Sequence, residues 1–507
     1  MFKKVLIANR GEIAVRIMRT CRDLDVTCVA VYSDADATSL HARYADEAYC
    51  IGGATAAESY LNAAKIIETA RACGAEAIHP GYGFLSERAE FSKACMAAGI
   101  KFIGPLPDTV QKLGDKVQAR AIADAAGAPS VPGSDGRVSP AAALELAPKI
   151  GFPLLIKAAA GGGGKGIRLV EDASSLEESL RTAAAEAMAS FGDDGLYLER
   201  FLDPVRHIEV QILADAHGNV VHLGERECTI QRRSQKLIEE SPSMAVDAAT
   251  REKLGAAAVA IAREAGYENA GTIEFLMDRD GAFYFIEANA RLQVEHPVTE
   301  LVTGLDLVEQ QLRIAAGEPL AFSQDDIKLR GWAIECRITA EDAAAGFMPS
   351  LGCIEHVSEP SGPGVRVDSS LFTGWEVGPN YDSLLSKLIA YGSDRNQALA
   401  RLRRALDEYQ VRGVKTTIGF HRRLIDDERF IAGDIDTRFL ERRFAFEPPE
   451  PENSDQALLA AALLAHQRRG TSSGNGRVSA PVSRWRQAGH EAAADRAPGG
   501  GPWRSIF

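Results

Sequence analysis

Residues Phe283–Glu300, FYFIEANARLQVEHPVTE, decide how the rest of this sequence is interpreted. They follow the run GTIEFLM at residues 271–277 and the turn-like segment Asp278–Gly281. Two runs of β-forming residues around a turn that contains glycine predict a β-hairpin. Alternation along the second strand assigns the core face to Tyr284, Ile286, Ala288, Ala290 and Leu292, and the opposite face to Phe283, Phe285, Glu287, Asn289 and Arg291.

Two carboxylates are expected on the polar face of this hairpin. If the turn is symmetric about residues 279 and 280, Glu274 lies opposite Phe285 and diagonally next to Glu287. Diagonal neighbours are about 7–8 Å apart, within reach of long side chains. Together with the Asn289 amide, such oxygens suit a hard cation. A solvated polar face is the alternative, but the polar series continues without a break into the segment that follows.

Composition and charge bound the class of protein. A chain of 507 residues suggests about three domains of ~150 residues each. The net charge of −13 argues against a nucleic-acid partner. Eight cysteines occur singly, without a CxxC pair, which predicts neither a zinc site nor a disulfide framework. No signal peptide and no apolar span of ~20 residues is found, so we expect a cytoplasmic protein with no membrane association.

The first 113 residues alternate strand-like and helix-like segments, which predicts a parallel α/β sheet. The strand-like runs are Val5–Ala8, Val29–Tyr32, Ala77–His79 and Phe102–Ile103, with helical windows near 59–73 and 86–98. The first turn, Asn9–Glu12, lacks the G-x-G-x-x-G pattern, which disfavours a dinucleotide site. The loop His79–Phe84 follows a strand, where open α/β sheets carry functional loops, although a plain structural turn fits equally well.

A helix is predicted to begin at Gly114–Lys116, and a glycine-rich loop follows the strand predicted at Gly151–Lys157. Its four consecutive glycines are Gly161, Gly162, Gly163 and Gly164. Such a run is costly unless the backbone must move or approach a ligand, and its N–H groups can bind phosphate. It is not a Walker A loop, because Ala159 replaces the first glycine and no Ser or Thr follows Lys165. We expect a flap that closes over phosphates, with a loop of no function as the alternative.

Positive charge precedes the acidic hairpin. Strands are predicted over residues 196–202 and 206–212, and the basic segment Gln231–Lys236 comes after them. Local positive charge next to a metal-binding hairpin suits a triphosphate bound with Mg²⁺. A solvated loop is the alternative.

The chain resembles the ATP-grasp superfamily and, within it, the biotin carboxylase family, over roughly residues 1–445. The resemblance rests on IANRGEIAVRI, AIHPGYGFLSE, FIGP, GDK, LIKAAAGGGGKG, QRRSQK, GTIEFL, FIEANARLQVEHPVTE and ECRITAED. It implies a mixed α/β ATP-grasp fold with a Rossmann-like N-terminal domain over residues 1–113. It also implies an ATP-grasp domain over 114–330, with a lid at about 131–203, and a C-terminal biotin carboxylase domain over 331–446. Residues 447–507 are rich in Gly, Ser and Pro and are expected to be a linker or disordered tail, apart from an Ala/Leu-rich helix predicted at residues 456–465.

The resemblance also implies roles for individual residues. ATP would be bound by Lys116, Lys157, Gly161–Gly164, Glu199, the Leu202 backbone, His207, Gln231, Lys236, Glu274 and Glu287. Mg²⁺ or Mn²⁺ would be held by Glu274, Glu287 and Asn289, and bicarbonate by Arg291, Gln293, Val294 and Glu295. Biotin would contact Arg337 and Tyr82. The catalytic set would be Glu295 as the base, Arg337 steadying the biotin enolate, Lys236 and Arg291.

The implied reaction is ATP- and bicarbonate-dependent carboxylation of biotin through carboxyphosphate, the first half-reaction of an acyl-CoA carboxylase of the acetyl- or propionyl-CoA type. No Met is followed by Lys, so biotin is expected as a substrate on a separate carrier protein, with a separate carboxyltransferase, unless the sequence is a fragment of a longer multidomain enzyme. Arg19 and Arg366 match the family's dimer interface, so a homodimer is expected. The alternatives are an ATP-grasp ligase with another acceptor, and a non-catalytic ATP-binding scaffold.

The sequence departs from the family pattern at a few positions. Ser234 stands where His is frequent, and Arg200 where Lys is usual, which keeps the charge but changes its geometry. Ala288 and Ala290 replace bulkier or polar residues around Asn289. All expected catalytic residues are present.

Overall fold

The computed structural model describes residues 1–134, 136–158, 167–191, 194–446, 458–464 and 466. The chain divides into two units, residues 1–448 and 449–507. In the second unit, residues 458–464 are helical, within the Ala/Leu-rich helix that the sequence predicts at 456–465. Gly161–Gly164, expected over the phosphates, lie outside the described residues. No helix in the described ranges is long and apolar enough to cross a bilayer.

The N-terminal region is a five-stranded parallel sheet flanked by helices, as the alternation predicts. Its elements are β1 (Lys4–Ile7), α1 (Gly11–Asp23), β2 (Thr27–Ser33), α2 (Leu40–Tyr44), β3 (Glu47–Gly52), α3 (Ala63–Cys73), β4 (Ala77–His79), α4 (Ala89–Ala97) and β5 (Lys101–Phe102). The strand order is β3-β2-β1-β4-β5. Strand β3 was not predicted, because this edge strand is mostly exposed and carries no apolar pattern.

The middle of the chain supplies a small sheet and most of a large one. Its elements are α5 (Pro107–Gly114), α6 (Lys116–Ala125), α7 (Pro140–Ile150), β6 (Leu154–Ala158), β7 (Ile167–Val170), α8 (Leu176–Phe191), β8 (Leu196–Arg200), β9 (Arg206–Ala214), β10 (Val220–Arg232), β11 (Gln235–Ser241), α9 (Ala248–Glu264), β12 (Asn269–Met277), β13 (Phe283–Asn289), α10 (His296–Thr303) and α11 (Leu307–Ala315). The small sheet has the order β7-β6-β8. Helix α6 begins at Lys116, as predicted, because the Asp115 side chain accepts hydrogen bonds from the first-turn N–H groups.

The C-terminal region extends the large sheet. Its elements are β14 (Trp332–Thr339), β15 (Glu341–Asp342), β16 (Met348–Pro349), β17 (Gly352–Cys353), β18 (His356–Ser358), β19 (Val365–Ser369), β20 (Glu376–Val377), β21 (Leu384–Gly392), α12 (Arg395–Glu408), β22 (Gln410–Arg412), α13 (Ile418–Leu424), α14 (Glu428–Ala432) and α15 (Phe439–Arg442). The eight-stranded sheet has the order β13-β12-β9-β10-β11-β14-β21-β19. It therefore continues across the domain boundary expected at residue 330.

The hairpin of β12 and β13 is confirmed, but its predicted register is wrong. Glu274 lies directly opposite Glu287, and Phe275 lies opposite Phe285. The turn is longer than assumed, because the Asp278 side chain accepts hydrogen bonds from the N–H groups of residues 280 and 282. A bulge then adds one residue to β13 and reverses the alternation.

Because of the bulge, two side chains of β13 lie on the face opposite to the predicted one. Phe285, assigned to the polar face, packs into the same core cluster as Ala288 and Ala290. Ile286, assigned to the core, lines the main cavity beside Glu287. Strict alternation fails here because one inserted residue shifts every side chain before it to the other face.

Candidate active site

A cavity of about 900 Å³ opens between the N-terminal sheet, the small sheet and the eight-stranded sheet. Many predicted site residues line it: Tyr82, Lys116, Lys157, Glu199, Leu202, His207, Gln231, Lys236, Glu274, Glu287, Asn289, Arg291, Gln293, Val294 and Arg337. Glu295 is fully buried behind this lining and contacts two of its cations. Apart from the four glycines outside the described residues, the structure thus brings the predicted set together.

Three carboxylates form one row across adjacent strands. Glu209 on β9 lies opposite Glu274 on β12, which lies opposite Glu287 on β13. Burial raises the pKa of Glu287, and the neighbouring Glu274 raises it further. Crowded carboxylate oxygens of this kind fit a hard divalent cation. The Asn289 amide donates to Glu274 Oε1 at 2.8 Å and accepts from Arg291 Nη2 at 3.0 Å.

Lys236 connects this row to Glu295. Its Nζ donates to Glu209 Oε2 at 2.5 Å, to Glu274 Oε1 at 3.0 Å and to Glu295 Oε1 at 2.7 Å. Burial would lower the pKa of Lys236, but the three carboxylates raise it well above its ordinary value. Lys236 is therefore a fixed positive charge at the centre of the site.

Glu295 is held as a carboxylate between two cations. Arg337 Nη2 donates to Glu295 Oε2 at 2.9 Å, while Lys236 holds the other oxygen. Burial would raise the pKa of Glu295, but Lys236 and Arg337 lower it well below its ordinary value. Arg337 Nε also donates to Glu239 Oε1 at 2.7 Å, which fixes the plane of the guanidinium. The ionised state that a base requires is thus built into the geometry.

Arg291 and its neighbours form a compact polar turn after β13. Its Nη1 donates to Gln293 Oε1 at 2.9 Å, and its Nε donates to Glu87 Oε2 at 2.8 Å. Gln293 Nε2 donates in turn to Glu274 Oε1 at 3.2 Å. The predicted anion-binding group is therefore continuous with the carboxylate row.

Two lysines lie at the other end of the cavity. Lys157 Nζ bonds to Glu199, and burial together with Lys157 lowers the pKa of Lys116. His207 Nε2 lies 2.7 Å from Glu274 Oε2. Burial would lower the pKa of His207, but Glu274 raises it. Two cations near a carboxylate row suit a polyphosphate with its metal ion.

Several residues that build the site were missed by the sequence analysis: Glu12, Glu87, Glu209, Arg226, Glu239 and Lys387. Two of them carry a signal in the sequence. Glu209 shares the parity of His207 on a strictly alternating strand. Lys387 interrupts the apolar strand LLSKLIAYG, and a charged residue in such a run indicates a buried partner.

Arg226 is a buried cation behind the carboxylate row. Its guanidinium bonds to Glu209 and donates to Gln211 Oε1 at 2.7 Å. It also donates to the hydroxyls of Thr272 and Thr299, each at 3.0 Å. Arg226 is fully inaccessible to solvent, so it holds Glu209 in place without reaching the cavity itself.

His421 lies under the strand that carries Arg337. Its Nε2 donates to the Arg337 carbonyl oxygen at 2.8 Å, and burial lowers the pKa of His421 from 6.5 to about 4. Between these two pH values the unfolded chain binds a proton that the folded protein excludes, so stability is lost as the pH falls through this window. The loss of folding stability attributable to His421 amounts to about 3 kcal/mol below pH 4.

The stability advantage of wild type over His421→Gln should therefore shrink as the pH falls from 7 to 4, as measured by denaturant titrations at each pH. A constant difference across this range would contradict it.

Three family models match the chain. They are the biotin carboxylase N-terminal domain over residues 1–110, the ATP-binding domain of the carbamoyl-phosphate synthase L chain over residues 115–323, and the biotin carboxylase C-terminal domain over residues 335–442. Together they span the fold and the cavity described above.

Relatives and solved structures agree with these models. Biotin carboxylase 1 of Bacillus subtilis is 50% identical over 443 residues, covering 87% of this chain and 98% of the relative. The mitochondrial propionyl-CoA carboxylase alpha chain of Homo sapiens is 50% identical over 87% of this chain and 61% of its own length. The biotin carboxylase domain dimer of Hydrogenobacter thermophilus 2-oxoglutarate carboxylase, solved with MgADP, ADP and bicarbonate, matches with a TM-score of 0.84. It is 47% identical over 88% of this chain and 100% of that chain.

The structural match confirms the expected mixed α/β ATP-grasp fold with its parallel N-terminal sheet. The models and relatives together show that the chain belongs to the biotin carboxylase family.

Proposed function

We propose that this biotin carboxylase carboxylates biotin on a separate carrier protein, with Glu295 as the base that activates bicarbonate. The reaction uses ATP, bicarbonate and Mg²⁺, and biotin is a substrate that is not attached to this chain. The observation that supports the residue assignment best is the position of Glu295, ionised between the cavity-lining residues Lys236 and Arg337 and buried directly behind them. A carboxylate with this charge state can accept a proton from a bound anion beside it.

The proposed chemistry assigns a task to each charged group. Bicarbonate is a poor nucleophile, so removal of its proton by Glu295 assists attack of its oxygen on the γ-phosphorus of ATP. Charge that develops on the transferred phosphoryl group is stabilised by Lys116, Lys157 and Lys236. The resulting carboxyphosphate breaks down to CO₂ and phosphate, and the phosphate takes the ureido proton of biotin. Arg337 stabilises the enolate, which then attacks CO₂.

The remaining assignments position the substrates. Arg291, Gln293 and the Val294 backbone hold bicarbonate, and Tyr82 lies against biotin. Glu199, Leu202, His207 and Gln231 hold the nucleotide, and Gly161–Gly164 are assigned to the same ligand. These groups border a single cavity, apart from the glycines outside the described residues.

The metal ion is assigned to the carboxylate row. Glu274 and Glu287, with Asn289 beside them, would hold Mg²⁺ or Mn²⁺ against the phosphates. When bound, the ion neutralises charge on the β- and γ-phosphate oxygens. The chain's own contribution is to fix two carboxylates directly opposite each other on neighbouring strands.

The proposed partners are a biotin carrier protein and a carboxyltransferase. The chain is similar to a subunit of propionyl-CoA carboxylase and to a domain that was solved as a dimer. We infer a cytoplasmic homodimer that carries out the first half-reaction of an acyl-CoA carboxylase of the acetyl- or propionyl-CoA type. Arg19 and Arg366 would lie at the dimer interface.

Release of ADP from ATP and Mg²⁺, measured with and without bicarbonate and free biotin, tests the proposal. Turnover that needs bicarbonate and rises with biotin is the expected result. Turnover indifferent to biotin would favour an ATP-grasp ligase with another acceptor. Nucleotide binding without turnover would favour a scaffold.

A further inference from the structure

A single buried lysine joins the three regions of the chain that surround the cavity. Lys387, on β21 of the C-terminal region, is fully inaccessible to solvent. Its Nζ donates to the carbonyl oxygen of Val294 at 3.0 Å, in the turn between β13 and α10. The same Nζ lies 3.4 Å from Glu12 Oε2, on α1 of the N-terminal region.

Each partner of Lys387 is attached to a different part of the proposed site. The Val294 carbonyl belongs to the peptide that joins Val294 to Glu295, so its orientation sets the backbone of the proposed base. Glu12 accepts a hydrogen bond from the hydroxyl of Tyr82, which we assign to the biotin site. Lys387 therefore contacts the turn at Val294, which we assign to bicarbonate, directly. It contacts the loop at Tyr82, which we assign to biotin, through the Glu12 carboxylate.

The sheet holds Lys387 in one position. It lies opposite Arg337 on β14 and opposite Asp368 on β19, and Asp368 Oδ2 is 3.7 Å from its Nζ. Arg366 binds Asp368 through both carboxylate oxygens and so fixes that neighbour as well. Burial raises the pKa of Glu12, while Lys387 opposes this effect. The Nζ of Lys387 thus has three oxygen acceptors around it, on Val294, Glu12 and Asp368.

We propose that Lys387 is a positioning residue that sets the bicarbonate turn and the Tyr82 loop relative to each other, so that both substrates are aligned by one side chain. It acts through Val294 and Glu12 and does not line the cavity. The inference rests on the proposed function, because it assigns the Val294 turn to bicarbonate and Tyr82 to biotin. A misplaced backbone of even about 1 Å can cost on the order of 10²-fold in rate.

Steady-state kinetics of the full chain separate this role from a general one. Lys387→Met should raise KM for bicarbonate and for biotin by about tenfold or more, with little change in KM for ATP. Glu12→Gln still accepts the Tyr82 hydrogen bond but loses the charge facing Lys387, so it should raise KM for biotin more than KM for bicarbonate. Glu12→Gln also keeps the inference testable if Lys387→Met does not fold.

A matched control is the removal of another buried cation. Arg395 is 8% exposed, and its Nε lies 2.7 Å from Oε2 of Glu240. Glu240 is on the face of β11 away from the cavity. Arg395→Met should lower thermal stability, as Lys387→Met should, but it should leave KM for ATP, bicarbonate and biotin close to wild type. Equal rises in all three KM values for Lys387→Met, or unchanged KM values in both test variants, would overturn the inference. If ADP release by the wild-type protein does not depend on bicarbonate, the proposed function is refuted, whatever the variants show.

Discussion

Glu295→Gln is expected to lower bicarbonate-dependent ATP turnover by about 10²–10⁴-fold, the usual contribution of a positioned general base. Glutamine keeps the shape of the side chain, and its single amide oxygen can still accept from either Lys236 or Arg337, which hold the two oxygens of Glu295. What it lacks is the capacity to take a proton. Initial rates of ADP release at saturating ATP and bicarbonate measure the effect on kcat.

The control for this variant is a buried glutamate outside the cavity. Glu227 on β10 is 3% exposed and bonds to Arg206 and Ser243. Glu227→Gln should leave turnover close to wild type, whereas a loss as large as that of Glu295→Gln would show that any buried charge change disables the protein. Nucleotide binding should survive in both variants. A Glu295→Gln protein with wild-type turnover would refute the assignment of the base.

Sequence patterns predicted the elements that depend on local order. The parallel sheet follows from alternating strands and helices, and the helix at Lys116 follows from its Asp115 cap. The hairpin was predicted because its two strands are adjacent in sequence. Its register was not predicted, because alternation encodes neither the length of the turn, where Asp278 accepts local hydrogen bonds, nor the residue inserted further along β13.

The resemblance to a family supplied the residues that line the cavity, but not those that hold them. Glu209, Arg226 and Glu239 lie behind the lining on the consecutive strands β9, β10 and β11, whose outer neighbours β12 and β14 come later in the chain. Glu239 lies opposite Glu335 although they are far apart in the chain, and no sequence pattern links the two positions. Such support is set by the order of eight strands, which spacing along one chain does not reveal.

Arg226→Met is expected to destabilise the protein by about 3–5 kcal/mol, the usual result of removing one partner from a buried ion pair. The change leaves Glu209 buried with only Lys236 for compensation, and it leaves four acceptors without their donor. Lys236 would then be drawn toward Glu209 and away from Glu295, so turnover should fall as well. Urea unfolding measures the loss of stability, and ADP release measures the loss of turnover.

A surface arginine provides the comparison. Arg313 is 39% exposed and pairs with Glu309 and Glu318, so Arg313→Met should cost only about 0–1 kcal/mol, because exposed pairs are hydrated and screened. Adding Glu209→Gln to Arg226→Met removes the uncompensated charge and should restore part of the stability, since the two residues are in contact. Equal losses for the two arginine variants would contradict the buried-pair explanation. Simple additivity of Glu209→Gln and Arg226→Met would do so too, because it would mean that the carboxylate and the guanidinium do not depend on each other.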